Sequence, residues 1–304
     1  MKIYLNKPKE NWIVDRFVSE WSKNNFNITT NRISKSDIVW IISPWTWKRI
    51  NKKYLKIKKV ICTIHHIDMN KFDKEDFYEL DKYVDYYHVI SEKTITVLKK
   101  YTNKKIYLIP FWVDDKKWFN IQNKKLLKKS FNFDQNSYLV GSFQRDTEKG
   151  KDQRPKLEKG PDIFLNIIKK LNISHSNLHI VLAGKRRGYL IKELKNLGIK
   201  FSYFEMVNYS QLNELYNCLD LYIVSSRLEG GPASIMECAL TKTPIISTDV
   251  GIANKILSKK SIFLDENYEN SKPDVELAFS NVQKYIIPEG FNEYIKTFEE
   301  IYES

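Results

Sequence analysis

The chain has 304 residues, 42% of them apolar and 13% aromatic, which is enough to bury a sizeable core and excludes global disorder. Its 50 Lys and Arg against 37 Asp and Glu leave a net charge of +13. No apolar run approaches the ~18 residues of a membrane span, and three scattered cysteines, Cys62, Cys218 and Cys238, exclude a disulfide framework and a cysteine-built metal site.

From the amino terminus, short apolar runs at 2–5, 37–42, 60–64, 87–90 and 106–109 read as strands. Helical stretches near 10–23, 73–83 and 91–101 alternate with them. The first stretch carries no apolar leader, so no secretory signal is expected. The series closes at Ile109-Pro110, and a polar, Lys- and Asn-rich segment follows. A second series places strands at 138–143, 179–183, 201–204, 221–224, 244–247 and 262–264. Within it, 161–171 sets Ile163, Phe164, Ile167, Ile168 and Leu171 on one helical face. Segment 210–219 does the same with Leu212, Leu215, Tyr216 and Leu219, with Ser210 as the expected cap. Segment 145–160 reads as a long charged surface loop, and 291–302 as an amphipathic helix.

Short buried strands alternating with helices imply parallel sheets and an α/β class. Two such series predict two Rossmann-like domains facing a central cleft, 1–122 and 123–285, with a C-terminal helix, 286–304, packing back on the first. The charge follows a related division. Residues 1–135 hold 28 Lys and Arg against 15 Asp and Glu, with all seven tryptophans, while 136–304 hold 22 against 22. A basic first half fits an anionic partner such as a membrane surface; a general bias toward Lys, Asn and Ile gives the same count.

Several chemistries lose ground by absence. There is no G-x-G-x-x-G, no G-x-x-x-x-G-K-[ST], no G-x-S-x-G and no H-E-x-x-H. No Asp-x-Asp offers a carboxylate pair for a divalent ion on a diphosphate. Phosphate held by backbone N–H groups and fixed cations gains ground in their place.

The stretch 221–251 supplies such a site. A buried strand runs into Glu229-Gly230-Gly231-Pro232, and a helix follows that carries Glu237. Gly230 and Gly231 let the backbone approach a ligand closely. A helix N-terminus presents unpaired N–H groups and a partial positive charge, which suit phosphate. Glu229 can accept hydrogen bonds from sugar hydroxyls, and Glu237, two turns on, can reach a ribose diol. In the alternative reading, Glu229 merely ends a strand and Glu237 is a solvated helix residue.

This stretch resembles the E-x7-E signature of retaining glycosyltransferases of the two-domain GT-B fold, family 4. Other landmarks agree over residues 59–257. His88-Val-Ile-Ser91-Glu92 resembles the family's Ser-containing strand end, and Leu108-Ile-Pro110-Phe-Trp-Val113-Asp114 its Ile-Pro-Asn-Gly-Val-Asp, with Phe111-Trp112 in place of Asn-Gly. Val140-Gly141 through Arg145, with Lys159-Gly160, resembles its Gly-Arg and Lys-Gly pair, and Val181-Leu-Ala-Gly184 its Leu-x-Gly strand end. The resemblance implies that Arg145 and Lys159 bind the donor diphosphate, that Glu229 contacts the donor sugar, and that Glu237 contacts the ribose. Lys149 and Lys151 are rival cations in the loop of Arg145.

In the first domain, Thr63-Ile64-His65-His66 follows a strand, where an open parallel sheet places ligands. His65 matches the family's histidine and could touch donor or orient the acceptor; His66 stands beside it. Lys7, Asn11 and Trp12 are acceptor-side candidates by position after the first strand. Trp40, Trp45 and Trp47 invite a sugar-stacking, membrane-edge or core reading, with Trp40, inside a strand, expected in the core.

The resulting expectation is transfer of a sugar from a nucleotide-diphosphate sugar to an acceptor hydroxyl with retention, without metal or other cofactor. Acceptors of the resembled family include lipopolysaccharide, capsule and other glycans, some lipid-linked. The expected place is the cytoplasm, at the inner face of the membrane, with peripheral contact to anionic lipid and no nucleic-acid partner. A nucleotide-sugar epimerase or phosphorylase on the same fold is the alternative, and a polyanion-binding protein fits the charge-neutral second half poorly.

Overall fold

The computed structural model describes residues 1–10, 12–150, 152–264 and 268–304. The chain divides into two compact units: Met1–Phe111 with Pro288–Ser304, and Trp112–Ile287. The boundary expected at 122 falls inside the second unit. Trp118 packs its ring against Tyr209 and Tyr216 there, and the Phe119 and Ile121 amides donate to the side chains of Asn213 and Asn217.

The first unit is built on five parallel strands in chain order, β1 (Ile3–Leu5), β2 (Ile38–Ile41), β3 (Lys59–Ile64), β4 (Tyr86–Val89) and β5 (Lys105–Leu108). Helices α1 (Ile13–Asn24), α2 (Lys52–Leu55), α3 (Lys74–Asp81) and α4 (Glu92–Leu98) connect them. Side chains alternate across a strand. Val39, Ile41, Val60, Cys62, Tyr87 and Val89 therefore pack on one face with Leu55, Phe77, Leu80 and Leu98. Trp40, Thr63 and His88 turn to the other. There Trp40 meets Trp21 of α1 and Tyr294 and Phe298 of the C-terminal helix, Asn292–Glu303, at 5.1–5.4 Å between ring centres. That helix buries Tyr294, Thr297, Phe298 and Ile301, the i, i+3, i+4, i+7 stripe of an amphipathic helix.

A polar relay crosses this apolar layer. The Trp40 indole N–H donates to Thr63 Oγ1 at 2.8 Å, which leaves the Thr63 hydroxyl proton for His88 Nδ1 at 2.9 Å. His88 Nε2 then donates to the Ile109 carbonyl at 2.7 Å. Burial pushes the His88 pKa down to about 4, so the ring is neutral and carries its proton on Nε2. His88 is thus structural.

The second unit has six parallel strands: β6 (Tyr138–Ser142), β7 (Leu178–Ala183), β8 (Phe201–Phe204), β9 (Leu221–Val224), β10 (Ile245–Thr248) and β11 (Ile262–Phe263). Helices α5 (Lys124–Ser130), α6 (Pro161–Ser174), α7 (Gly188–Asn196), α8 (Tyr209–Cys218), α9 (Ala233–Thr241), α10 (Ala253–Ile256) and α11 (Val275–Val282) accompany them. Phe164, Ile167, Ile168 and Leu171 of α6 are buried against Val140, Ile180, Leu182 and Ile223 of the sheet. The cap of α8 is Asn208 rather than Ser210. Its side chain accepts from the Gln211 amide while the Gln211 side chain accepts from the Asn208 amide, a reciprocal pair that outcompetes a single hydroxyl. The sheet order is β11-β10-β9-β6-β7-β8. Strands after β6 add in one direction and strands after β9 in the other, so the order reverses between β6 and β9.

The units also correct the charge expectation. The first holds 23 Lys and Arg against 17 Asp and Glu, a net +6, and the second 27 against 20, a net +7. The acidic C-terminal segment belongs to the first unit and the lysine-rich 112–135 to the second, so the basic half is not a basic domain.

Candidate active site

In an open α/β sheet, ligands bind at the carboxyl ends of strands where the order reverses. In the second unit that point joins the ends of β6 and β9. Gln144 extends β6, Ser225 and Ser226 extend β9, and the turn 157–160 lies across them. Gly160 makes this contact possible. Its φ is +59°, and a Cβ there would stand 1.8 Å from the Ser225 carbonyl oxygen. Gln144 Nε2 donates to the Lys159 carbonyl at 2.9 Å, and Ser225 Oγ donates to the same oxygen at 3.3 Å. Ser226 Oγ lies 3.1 Å from Gln144 Oε1 and 3.4 Å from Glu229 Oε1. The Arg227 and Leu228 amides donate to the Glu158 carbonyl.

These ties bring Lys159 and Glu229 together, with Nζ 2.5 Å from Oε1 and both side chains mostly buried. Arg227 grips the Asp162 carboxylate with both terminal nitrogens, at 2.7 and 2.5 Å. That grip holds the Asp162 carboxyl below the usual carboxylate range. The segment that carries Lys159 and the one that carries Glu229 are thus clamped on both sides of their ion pair.

Beyond Glu229, the Gly230-Gly231 turn leads into α9. Gly251, at φ +56°, rests on it so closely that a Cβ would lie 2.5 Å from the Gly230 carbonyl oxygen. Pro232 precedes α9 and no side chain caps it; the Ile235 amide donates to the Pro232 carbonyl at 3.1 Å, which leaves the two N–H groups ahead of it for another acceptor. Glu237 is buried on the second turn, where the Tyr216 hydroxyl donates to its Oε2 at 2.8 Å. Burial and that carboxylate raise the Tyr216 pKa far above its ordinary value, so the phenol keeps its proton. Glu237 is therefore no solvated helix residue.

Arg145 is half-buried at the head of the segment expected as a long charged surface loop. Its described residues form neither helix nor strand before the short turn at Leu157–Lys159, and they are exposed at the tip, but the base is anchored: Asp146 and Thr147 are buried, and Thr147 pairs with Pro155 as an antiparallel bridge. Lys149 is exposed, and Lys151 lies outside the described residues.

At the carboxyl edge of the first unit's sheet, Asn6 and Ser43 exchange hydrogen bonds of 3.0 Å and lock the ends of β1 and β2 together. Trp45 projects from this lock, half-exposed, its indole N–H donating to Glu10 Oε1 at 3.0 Å. His65 is half-buried, with Nε2 2.9 Å from the Ile42 carbonyl oxygen and its ring 5.6 Å from Trp45 and 5.7 Å from Phe111. His66 and Lys7 are exposed, Trp12 is partly so, and Asn11 lies outside the described residues. Of the three tryptophans in this stretch, Trp40 and Trp47 are core and Trp45 alone is presented. Gln144, Ser226 and Glu10 stand in no sequence motif, and Tyr216, expected only on the packed face of its helix, carries no sequence sign of its bond to Glu237; the Pro44 that starts a short helix is the one local signal that Trp45 leaves the core.

Among the described residues, no group of three or more His, Cys, Asp or Glu gathers to hold a metal ion, and no helix is long and apolar enough to cross a membrane.

Residues 153–284 match the family model described as glycosyl transferases group 1. No curated protein matches the chain. Among solved structures, Anabaena HepE in complex with UDP and glucose is similar over 99% of this chain and 100% of its own, at 12% identity and a TM-score of 0.72. Sucrose-phosphate synthase from Thermosynechococcus elongatus is similar over 94% of this chain and 76% of its own, at 12% identity and a TM-score of 0.69. A TarM mutant of S. aureus in complex with Fondaparinux, alpha-GlcNAc-glycerol and UDP is similar over 96% and 59%, at 16% identity and a TM-score of 0.67. At these identities the likeness is one of fold, and the two-sheet α/β class read from the sequence is the fold they share.

Proposed function

We propose, from the match of residues 153–284 to the family model of glycosyl transferases group 1, that the chain moves a sugar from a nucleotide-diphosphate sugar to an acceptor hydroxyl with retention of configuration. The observation that carries this is the Lys159–Glu229 pair at the point where the sheet order reverses. A cation for diphosphate and a carboxylate for sugar hydroxyls stand side by side there, next to an uncapped helix N-terminus. UDP is the first nucleotide to test, because the HepE and TarM structures hold it.

In this reading the diphosphate replaces Glu229 as the partner of Lys159. Lys159, Arg145 and the first N–H groups of α9 then meet the charge that grows on the leaving phosphate, stabilisation aimed at the transition state rather than the bound substrate. Glu229, released from Lys159, accepts from donor-sugar hydroxyls, with Gly230 and Gly231 bringing the backbone close. Glu237, fixed by Tyr216, faces the ribose. Fixed protein cations do the neutralising, so no divalent metal is needed. The leaving phosphate takes the acceptor proton on the same face, which accounts for retention without a carboxylate nucleophile.

The first unit supplies the acceptor side. His65 orients the hydroxyl, and the exposed face of Trp45 with the Glu10 carboxylate suits a sugar ring, since an aromatic face covers the ring while a carboxylate accepts from its hydroxyls. A glycan, free or lipid-linked, is the acceptor class this favours, in surface-glycan synthesis on the cytoplasmic side of a membrane. Peripheral lipid contact is not required: the charge is shared evenly between the units, and Lys52 and Lys48, in and beside the densest lysine run, are paired with Glu79 and Asp76.

The test is turnover of UDP-, GDP- and ADP-sugars with a panel of methyl glycosides in EDTA, with nucleoside diphosphate release and the product's anomeric proton followed by NMR. A retained product in EDTA is expected. Activity that returns only with Mg²⁺ or Mn²⁺ contradicts the metal-free account, and isomerised donor without transfer favours an epimerase.

A further inference from the structure

Beside the site lies a buried ion pair to which the proposed chemistry gives no role. Arg187 is 1% exposed and Asp146 2%. Arg187 Nε donates to Asp146 Oδ2 at 2.5 Å, Nη1 to the carbonyls of Ser142 and Ala183 at 2.5 and 2.9 Å, and Nη2 to Ser142 Oγ at 3.2 Å. One guanidinium thus joins the carboxyl ends of β6 and β7 to the residue directly after Arg145.

The rest of the segment hangs from that point. The amides of Asp146 and Thr147 both donate to the Arg186 carbonyl at 3.1 Å. Arg186 turns its carbonyl toward them by adopting φ +60°, a left-handed conformation that costs a non-glycine residue energy. Asp146 Oδ1 accepts from Thr147 Oγ1 at 2.6 Å, and Thr147 Oγ1 in turn accepts from the Tyr189 amide at 2.8 Å. The Asp146 carbonyl accepts from the Lys156 amide, and the Lys156 carbonyl from the Lys159 amide, each at 2.8 Å. The backbone path from the buried pair to Lys159 therefore consists of two hydrogen bonds.

A buried ion pair is a poor device for stability alone, because desolvation offsets its attraction and an apolar pair of similar volume often serves as well. Its advantage is direction: a planar guanidinium fixes several acceptors at once in a rigid fork. We propose that Asp146 and Arg187 are positioning residues for the donor, setting Arg145 and Lys159 at the spacing of a diphosphate. This rests on the reading of those two cations as diphosphate ligands.

The test compares UDP with uridine, which lacks the phosphates, by ligand-observed NMR on the full chain. Three proteins are used: wild type, the double variant Arg187→Met with Asp146→Leu, which leaves no buried charge unpaired, and Arg187→Lys, which keeps the charge and loses the fork. Wild type should prefer UDP. The double variant should lose at least tenfold in UDP affinity with uridine affinity unchanged, and Arg187→Lys should fall between. A merely structural pair would leave the ratio of the two affinities unmoved. A wild-type ratio in the double variant overturns the proposal, and if that protein does not fold, a wild-type ratio in Arg187→Lys does so. Wild type that binds none of UDP, GDP and ADP overturns the donor reading as well.

Discussion

At the carboxyl edge of the second unit's sheet the charged groups are already engaged. Lys159 holds Glu229, Arg227 holds Asp162, and Arg187 holds Asp146, all within a frame of backbone contacts so close that Gly160 and Gly251 admit no side chain. The same edge of the first unit's sheet is furnished with rings instead. Trp45 stands beside the locked ends of β1 and β2, with the His65 ring from the end of β3 next to it and Glu10 as the nearby carboxylate. A diphosphate is small, rigid and highly charged, and a preorganised cluster of fixed charges suits it. An acceptor sugar is neutral and varied, and an exposed aromatic face recognises it with fewer constraints.

If close backbone approach builds the second unit's site, its glycines should differ sharply in tolerance. Gly160→Ala meets both a left-handed φ and the Ser225 carbonyl, and roughly 3 kcal/mol or more of stability should be lost. Gly198, at φ +65°, faces open space, with no atom within 4 Å of the place a Cβ would take. Gly198→Ala should cost only about 1 kcal/mol. Urea denaturation of the two variants checks the contrast, and equal losses would break it.

The units should respond alike to acid, because each buries a neutral histidine. His88 in the first and His179 in the second both have pKa values pushed down to about 4 by burial. As pH falls below the ordinary histidine value near 6.5, the unfolded chain takes up protons that the folded chain refuses. Stability from these sites is therefore complete above about pH 6.5 and declines down to about pH 4. The drop in stability between pH 7 and pH 4.5 should be smaller in His88→Gln and in His179→Gln than in wild type. A variant with an unchanged drop would remove that histidine from the account.

A smaller effect is expected on the acceptor side. Trp45→Ala should raise the acceptor KM about tenfold, on the order of one aromatic contact, and leave the donor KM unaltered; Trp45→Phe should recover most of it. A change confined to the donor KM would contradict the assignment. The least effect belongs to the lysines at 52, 53, 56, 58 and 59. Their combined replacement by serine should not alter co-sedimentation with anionic vesicles, and lost binding would restore a membrane-docking role.

The second unit's candidate site is legible in the sequence because its signals are local. The Glu229-to-Glu237 interval, the glycines between them and Lys159-Gly160 are local signals, and the alternation of strands and helices set the fold class. What escaped is what the fold assembles from afar. Asp146 and Arg187 each look like surface charges in charged stretches, and only the junction of β6 and β7 makes them partners. Charge by unit could not be read along the chain, because the last seventeen residues, Pro288–Ser304, return to the first unit. Trp40 lies inside a strand that the sequence shows, but Trp45 and Trp47 are alike there, and the short helix at Pro44–Arg49 sorts them.

The central claim is that the Lys159–Glu229 pair is the donor site of a sugar transfer. Its most direct test is steady-state nucleoside diphosphate release from the best donor by Lys159→Ala and Glu229→Gln, each first shown to melt cooperatively. Loss of a transition-state contact of about 3 kcal/mol predicts rates lowered roughly a hundredfold in both. Wild-type rates from either folded variant would contradict the role given to that residue, and wild-type rates from both would contradict the site.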